Sequence, residues 1–350
     1  METKFEGKIG ERIAYIDELK GLAIILVVLG HIVDGEEAFR SLYQFIYSFH
    51  MPLFMFLAGC TTFISYQRSE MSNIKFIWKR FANIMIPYFA WAFLYPIIFC
   101  RPIEMIDWQN IICKVFITNR MFWFLPVLFG LSIMLVCYHQ LSACLDRKRC
   151  DSKRNDNFVT FLHSVFACII VATILTMLMF VTGYQLFRDM VGFFIPFFVA
   201  VFYMEYEWVR DLASQRYTVI AALLVYVLLI GKFDFDNISI ETSLLRMILG
   251  MCFTVVLLQV FIKMSFHSVI KEQLAFLGKN TLLTYILHEQ VLRITGVLNI
   301  TVANKMVCLL WYIVISVLVC YLCNFLVWII GCIPLVRIIL LGKQRIVWKK

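Results

Sequence analysis

Charge is scarce in this chain. Charged residues make up 16% of its 350 positions, whereas soluble domains carry about 25%. Together with a hydrophobic share of 62% and a mean hydropathy of +0.83, that scarcity excludes a soluble globular fold. Strict alternation of polar and apolar residues is missing too. A membrane β-barrel would need it, so the spanning structure must be helical. The first apolar run is followed by "DGEEAFR", which lacks a small-residue cleavage pattern, and the run is read as a retained span. No fixed-period repeat and no linker between soluble domains is visible, so residues 1–350 read as one membrane-embedded domain. Twelve cysteines are present, mostly inside the apolar runs. Cys320 and Cys323 have CxxC spacing, but within an apolar helix they read as small buried hydrophobes, and no metal is expected.

What is present is a series of apolar runs. About 20 such residues let a helix cross the hydrocarbon core. The expected spans are 13–33, 41–65, 76–99, 121–141, 158–182, 187–204, 217–231, 244–264, 281–299 and 306–333, an all-α polytopic bundle of ten helices. Alternate loops differ sharply in basic residues. Of the 32 Lys and Arg, 23 fall in one set (both termini and loops such as 66–80 and 142–157) and 7 in the other, which includes Arg40, Arg101, Lys114, Arg120 and Arg188. The positive-inside rule then puts both termini in the cytoplasm. The same asymmetry accounts for the net charge of +9, so a nucleic-acid partner is not implied. Between Arg101 and Arg120, "IEMIDWQNIICKVF" fits an amphipathic helix lying along the outer interface.

Ionisable groups inside spans are costly in lipid, so each is a candidate for function. They are His31, His50, Arg246, His288, Glu289 and Arg293. In "LKGLAIILVVLGHIV", ten apolar or glycine residues separate Lys20 from His31. Eleven helical steps return to within roughly 20° of the starting face and rise roughly 16 Å. One helix face therefore offers a cation at its cytoplasmic end and an imidazole toward the outer leaflet. The rise is on the order of an extended pantetheine arm. The plainer reading of Lys20 is a snorkelling anchor. Asp34, three residues after His31, would share that face or else face outer water.

Other stretches carry weaker signals. In "FHMPLFMFLAGC", Pro52 frees a carbonyl within a span and Gly59 permits close helix approach. His50 either faces the cavity of His31 or belongs to a kinked packing helix. In "KRFANIMIPYFAW", Lys79 and Arg80 are either topological anchors or phosphate-gripping cations. "MFWFLPVLFG" carries Trp123 among aromatics at an outer boundary. In "LGKNTLLTYILHEQ", Gly278, Lys279 and Asn280 mark a turn, and His288 lies roughly 12 Å into the helix that follows. Glu289 and Arg293 are spaced for a helical ion pair.

The stretches "YIDELKGLAIILVVLGHIV", "FHMPLFMFLAG", "KRFANIMIPYFAW", "WFLPVLFG" and "LGKNTLLTYILH" occur in that order from Tyr15 to His288. Taken together they resemble the acyltransferase-3 family of membrane-bound acyltransferases, which includes cell-surface polysaccharide O-acetyltransferases. The resemblance implies transfer of an acyl group, usually acetyl, from cytoplasmic acyl-CoA (acetyl-CoA as co-substrate) to a glycan hydroxyl outside the plasma membrane. It puts the essential histidine at His31 and its basic partner at Lys20. Arg80 matches one member of a family arginine pair, Asn83 stands where a second arginine is often found, and Lys79 is the neighbouring cation. Lys20, Lys79, Arg80 and Trp123 are thus the candidate donor-binding residues. His31 is the candidate general base, and His50, His288 and Asp34 are candidates for orienting groups or oxyanion donors. Secondary transport is the rival reading, since intramembrane ionisable residues and proline-broken helices fit it also. No paired halves with matching interruptions support it.

Overall fold

The computed structural model describes residues 13–69, 71–99, 106–118, 121–147, 157–237, 239–263, 267–294 and 304–342. Both chain ends, whose basic residues contribute to the expected orientation, lie outside the described residues, as do Arg101, Arg120 and most of the 142–157 loop. Among the described residues all regular structure is helical. In chain order the helices are α1 (Ala14–Ile32), α2 (Arg40–Gln67), α3 (Asn73–Phe99), α4 (Trp108–Phe116), α5 (Phe124–Arg147), α6 (Asn157–Thr182) and α7 (Gln185–Glu205). They continue with α8 (Glu207–Ser214), α9 (Arg216–Ile230), α10 (Ile240–Lys263), α11 (Ser268–Lys279), α12 (Thr281–Ile294), α13 (Lys305–Gly331) and α14 (Pro334–Leu341).

Among the described residues every expected apolar run falls on a helix. Among them seven helices are long and apolar enough to cross a membrane, or eight if α8 and α9, bent by 65°, form one span. The protein is therefore a multi-pass membrane protein. Three runs do not meet those criteria alone. Helix α1 carries Asp17, Glu18 and Lys20 in its 19 residues, α9 has only 15, and α12 is described only as far as Ile294. The expected amphipathic segment contains α4. Asp107 caps it by accepting from the backbone N–H of Asn110 at 2.9 Å, satisfying one of the donors a helix start leaves open. Residues 103–105 of that stretch lie outside the described residues.

The chain forms two compact units, a first that takes in residues 1–64 and 200–350 and a second of residues 65–199. In the second, residues 65–199, α5 packs on α3 and α6, and α4 packs on α3. The Tyr88 hydroxyl donates to the Val115 carbonyl at 3.0 Å, and that of Tyr184 donates to Phe116. Ser142 and Ser164 hydrogen-bond at 3.1 Å between α5 and α6. Such pairs satisfy hydroxyls where no water is at hand.

In the first unit α1 is the hub, packed by α10, α11, α12 and α13. Leu19, Ala23 and Val28 have no exposure at all. Residues 21–30 of α1 are all apolar or glycine, the pattern of a buried helix. Small residues make this possible. A Cβ on Gly278 would lie 1.8 Å from the Asp17 carbonyl oxygen and 2.9 Å from the Gly21 nitrogen, and one on Gly21 would lie 2.0 Å from the Leu274 carbonyl oxygen. The backbones of α1 and α11 therefore touch, the geometry that small residues permit between membrane helices. Helix α11 was not expected from the sequence, where 265–280 reads as a loop between spans. It is too polar for a span and gains its place through this contact. Pro52 plays a similar part in α2, since a Cβ on Gly250 of α10 would meet its ring at 2.4 Å.

The fold makes a direct prediction. Replacing Gly278 with Ala forces two main chains apart, and overpacking of a rigid contact costs about 1–3 kcal/mol or more. Thermal unfolding of the detergent-purified protein should show a clear loss of stability for Gly278→Ala. Gly192→Ala, where nothing lies within 4 Å, should unfold like the parent. Equal unfolding temperatures for the two variants would contradict the backbone contact.

Candidate functional site

Helix α1 carries His31 on its last turn, half-buried. Helix α12 brings His288 against it, with ring centroids 4.8 Å apart and planes inclined at 49°. His288 is 5% exposed, as is His50 on α2. His31 and Arg246 are the basic groups near enough to His50 to act on it electrostatically. His50 itself packs edge-on against Tyr47 at 4.7 Å. The structure thus gathers the three histidines singled out in the sequence, the accessible one being His31.

The two buried rings are oriented alike. His288 Nδ1 lies 2.9 Å from the Thr284 carbonyl oxygen and His50 Nδ1 lies 2.8 Å from that of Ile46. A carbonyl oxygen only accepts, so Nδ1 must carry the hydrogen in both rings. In the neutral imidazole Nε2 is then an acceptor. For His288 this atom is buried and has no hydrogen-bond partner. Of the two roles read from the sequence, orientation is compatible with this geometry. Oxyanion donation from neutral Nε2 is not.

Asp34 does not share a helix face with His31. Helix α1 ends at Ile32 with Val33 as its cap, because Gly35 turns the chain with φ of 80°, a conformation open to glycine at no steric cost. Asp34 is exposed in that turn, near enough to Tyr43 and His31 to act on them by charge. Beside it is a small cavity of about 80 Å³ lined by Val33, Gly35, Glu36, Glu37, Arg40 and Tyr43. Arg40 is held there by Asp234 at 3.1 Å and by Asp236. Gln44 fastens the same loop, donating to Asp234 and accepting from the Phe235 N–H. Glu289 pairs with Arg293 at 2.5 Å, the helical ion pair expected from their spacing.

Lys20 lies two turns into α1 and pairs with Asp17 at 3.6 Å. Asp17 and Glu18 are buried, at 4% and 5% exposure, with Lys271 of α11 as the cation near Glu18. The sequence reading passed over both carboxylates. The i, i+3 spacing of Asp17 and Lys20 was the available signal.

The remaining candidates belong to the second unit. Lys79 is exposed on α3. Arg80 turns toward α5, where Nε and an Nη donate to Ser132 Oγ at 3.3 and 3.1 Å. That hydroxyl donates in turn to the Leu128 carbonyl at 2.7 Å. Ser132 was not foreseen, and nothing in its local sequence marks it. Trp123 is half-buried and stacks on Phe193 at 5.2 Å, so part of its ring face is committed to packing.

Among the described residues, then, a half-buried histidine on a buried helix meets a second histidine whose free nitrogen has no partner. That helix lies within a longer match. The model of the acyltransferase-3 family, described as an acyltransferase domain, matches residues 13–327. Comparison with curated proteins and with solved structures gives no match. A match running from the start of α1 almost to the end of α13 takes in every helix that carries a candidate residue, and on that extent the chain belongs to the acyltransferase-3 family of acyltransferases.

Proposed function

We propose that the protein transfers an acyl group, acetyl in the first instance, from cytoplasmic acyl-CoA to a hydroxyl of an extracytoplasmic glycan, acting in the plasma membrane. The observation that carries this reading is the position of His31 in the matched domain. It is accessible where His50 and His288 are buried, and it stands on one helix with Lys20 roughly 16 Å below it by helical rise.

His31 acts as general base. It removes the proton of the acceptor hydroxyl as the oxygen attacks the thioester carbonyl. The carbon–sulfur bond then breaks, the ester is formed, and the proton held by His31 passes to the departing thiolate. Lys20 is the proposed cation for the phosphates of the donor, which it attracts by charge, and Lys79 and Arg80 are the candidates that the second unit by itself offers for that role. Trp123 is the proposed aromatic contact to the donor. An acyl-histidine intermediate is the variant route, distinguished by labelled protein trapped from acetyl-CoA in the absence of acceptor.

Two measurements test this. His31→Ala should lower acetyl transfer from labelled acetyl-CoA in membranes by at least about a hundredfold while the protein is still inserted. An unchanged rate removes His31 from the chemistry. Mass spectrometry of surface glycans from cells with and without the protein should show an acetyl-sized difference that His31→Ala abolishes. No difference in any glycan would refute the acceptor class.

A further inference from the structure

Three observations about His288 point the same way. Its Nδ1–H is spent on the Thr284 carbonyl at 2.9 Å. Its Nε2 is buried without a partner. Its ring lies 4.8 Å, centroid to centroid, from that of His31. An unsatisfied buried acceptor carries an uncompensated desolvation cost, and native structures retain few of them without a reason.

We propose that His288 is a positioning residue whose Nε2 accepts the N–H of His31, so that the other nitrogen of His31 faces the acceptor hydroxyl as a bare base. The proposal rests on the acyl-transfer reading above and adds to it the group that fixes the base. A hydrogen bond of about 2.9 Å between ring nitrogens fits within the observed centroid separation once His31 turns its N–H toward His288. A base works in one tautomer only, and its second nitrogen needs an acceptor to hold that tautomer. Glu289, next in sequence, is near enough to act on His31 by charge, but its carboxylate is engaged by Arg293 at 2.5 Å, which leaves the imidazole of His288 as the acceptor in ring contact.

The proton count closes. When His31 takes the hydroxyl proton it becomes an imidazolium that still donates to His288. When the thiolate leaves, that proton goes from His31 to sulfur. His288 neither gains nor loses one over the cycle, and its Nδ1–H stays on Thr284 throughout.

Gln in place of His288 keeps an acceptor oxygen near the Nε2 position, whereas Ala removes it. In membranes carrying the protein and its endogenous acceptors, His288→Ala should lower kcat about a hundredfold with KM for acetyl-CoA unchanged. His288→Gln should recover it to within about tenfold of the parent. A His288→Ala enzyme within about twofold of the parent overturns the proposal, and so does a Gln variant as inactive as Ala. Nitrogen chemical shifts of isotope-labelled histidine in the unmutated protein in lipid give an answer that needs no variant. Nδ1 of His288 should be protonated and Nε2 bare, and the opposite tautomer overturns the proposal. If the parent protein consumes no acetyl-CoA, the acyl-transfer reading fails instead, and the tautomer measurement still stands apart from it.

Discussion

The first unit depends on the contact of two main chains at Gly21 and Gly278. Lipid offers helices no hydrophobic drive to associate, so close packing must supply it. Here the packing is closer than any side chain allows, with a Gly278 Cβ position 1.8 Å from a carbonyl oxygen of α1. The contact also sets a register. His31 is ten residues beyond Gly21, and His288 is ten residues beyond Gly278. Both pairs meet, glycine against glycine and histidine against histidine. The chain from α11 into α12 therefore runs in the same direction as α1 and rises with it by roughly 15 Å. The break at Asn280 between α11 and α12 does not disturb that match.

Within this frame the polar groups follow one rule. A backbone carbonyl inside a helix retains a second lone pair, and side chains lacking water use it. Ser132, Thr254 and Ser316 each donate to the carbonyl four residues back. His50 and His288 do the same with Nδ1. For a hydroxyl this is only satisfaction of a donor. For an imidazole it has a chemical consequence, because fixing the hydrogen on one nitrogen turns the other into a base or an acceptor. The positions of Ile46 and Thr284, four residues before each histidine, thus bear on the chemistry of the site though neither side chain takes part.

Much of this was legible in the sequence, and the missed parts share a cause. Low charge and long apolar runs gave the helical class, because lipid admits few alternatives. The spacing of Lys20 and His31 was legible because both lie on one uninterrupted helix. Of the two readings of Asp34 the shared face fails, because the helix ends at Ile32, two residues short of it, and the exposed one stands. Helix α11 was missed because its residues are too polar for a span, and its two glycine contacts come from a partner some 250 residues away in the chain. Ser132 as the seat of Arg80 is likewise a contact between distant segments. Periodicity records which face a residue takes on its own helix and says nothing of what lies opposite.

Of the two readings of Lys20, the snorkelling anchor is the plainer one. A snorkelling lysine sends its ammonium into headgroup water and needs no partner. The Lys20 side chain keeps only 18% of its exposure and pairs with Asp17, whose own side chain keeps 6%. Removing both charges from water is costly, and a hydrophobic pair in their place is often as stable. Topology alone does not account for that expense, since an exposed lysine would serve equally well. Asp17 also lies in the first turn of α1, where the helix dipole favours a carboxylate, so the pair is anchored at its acidic end.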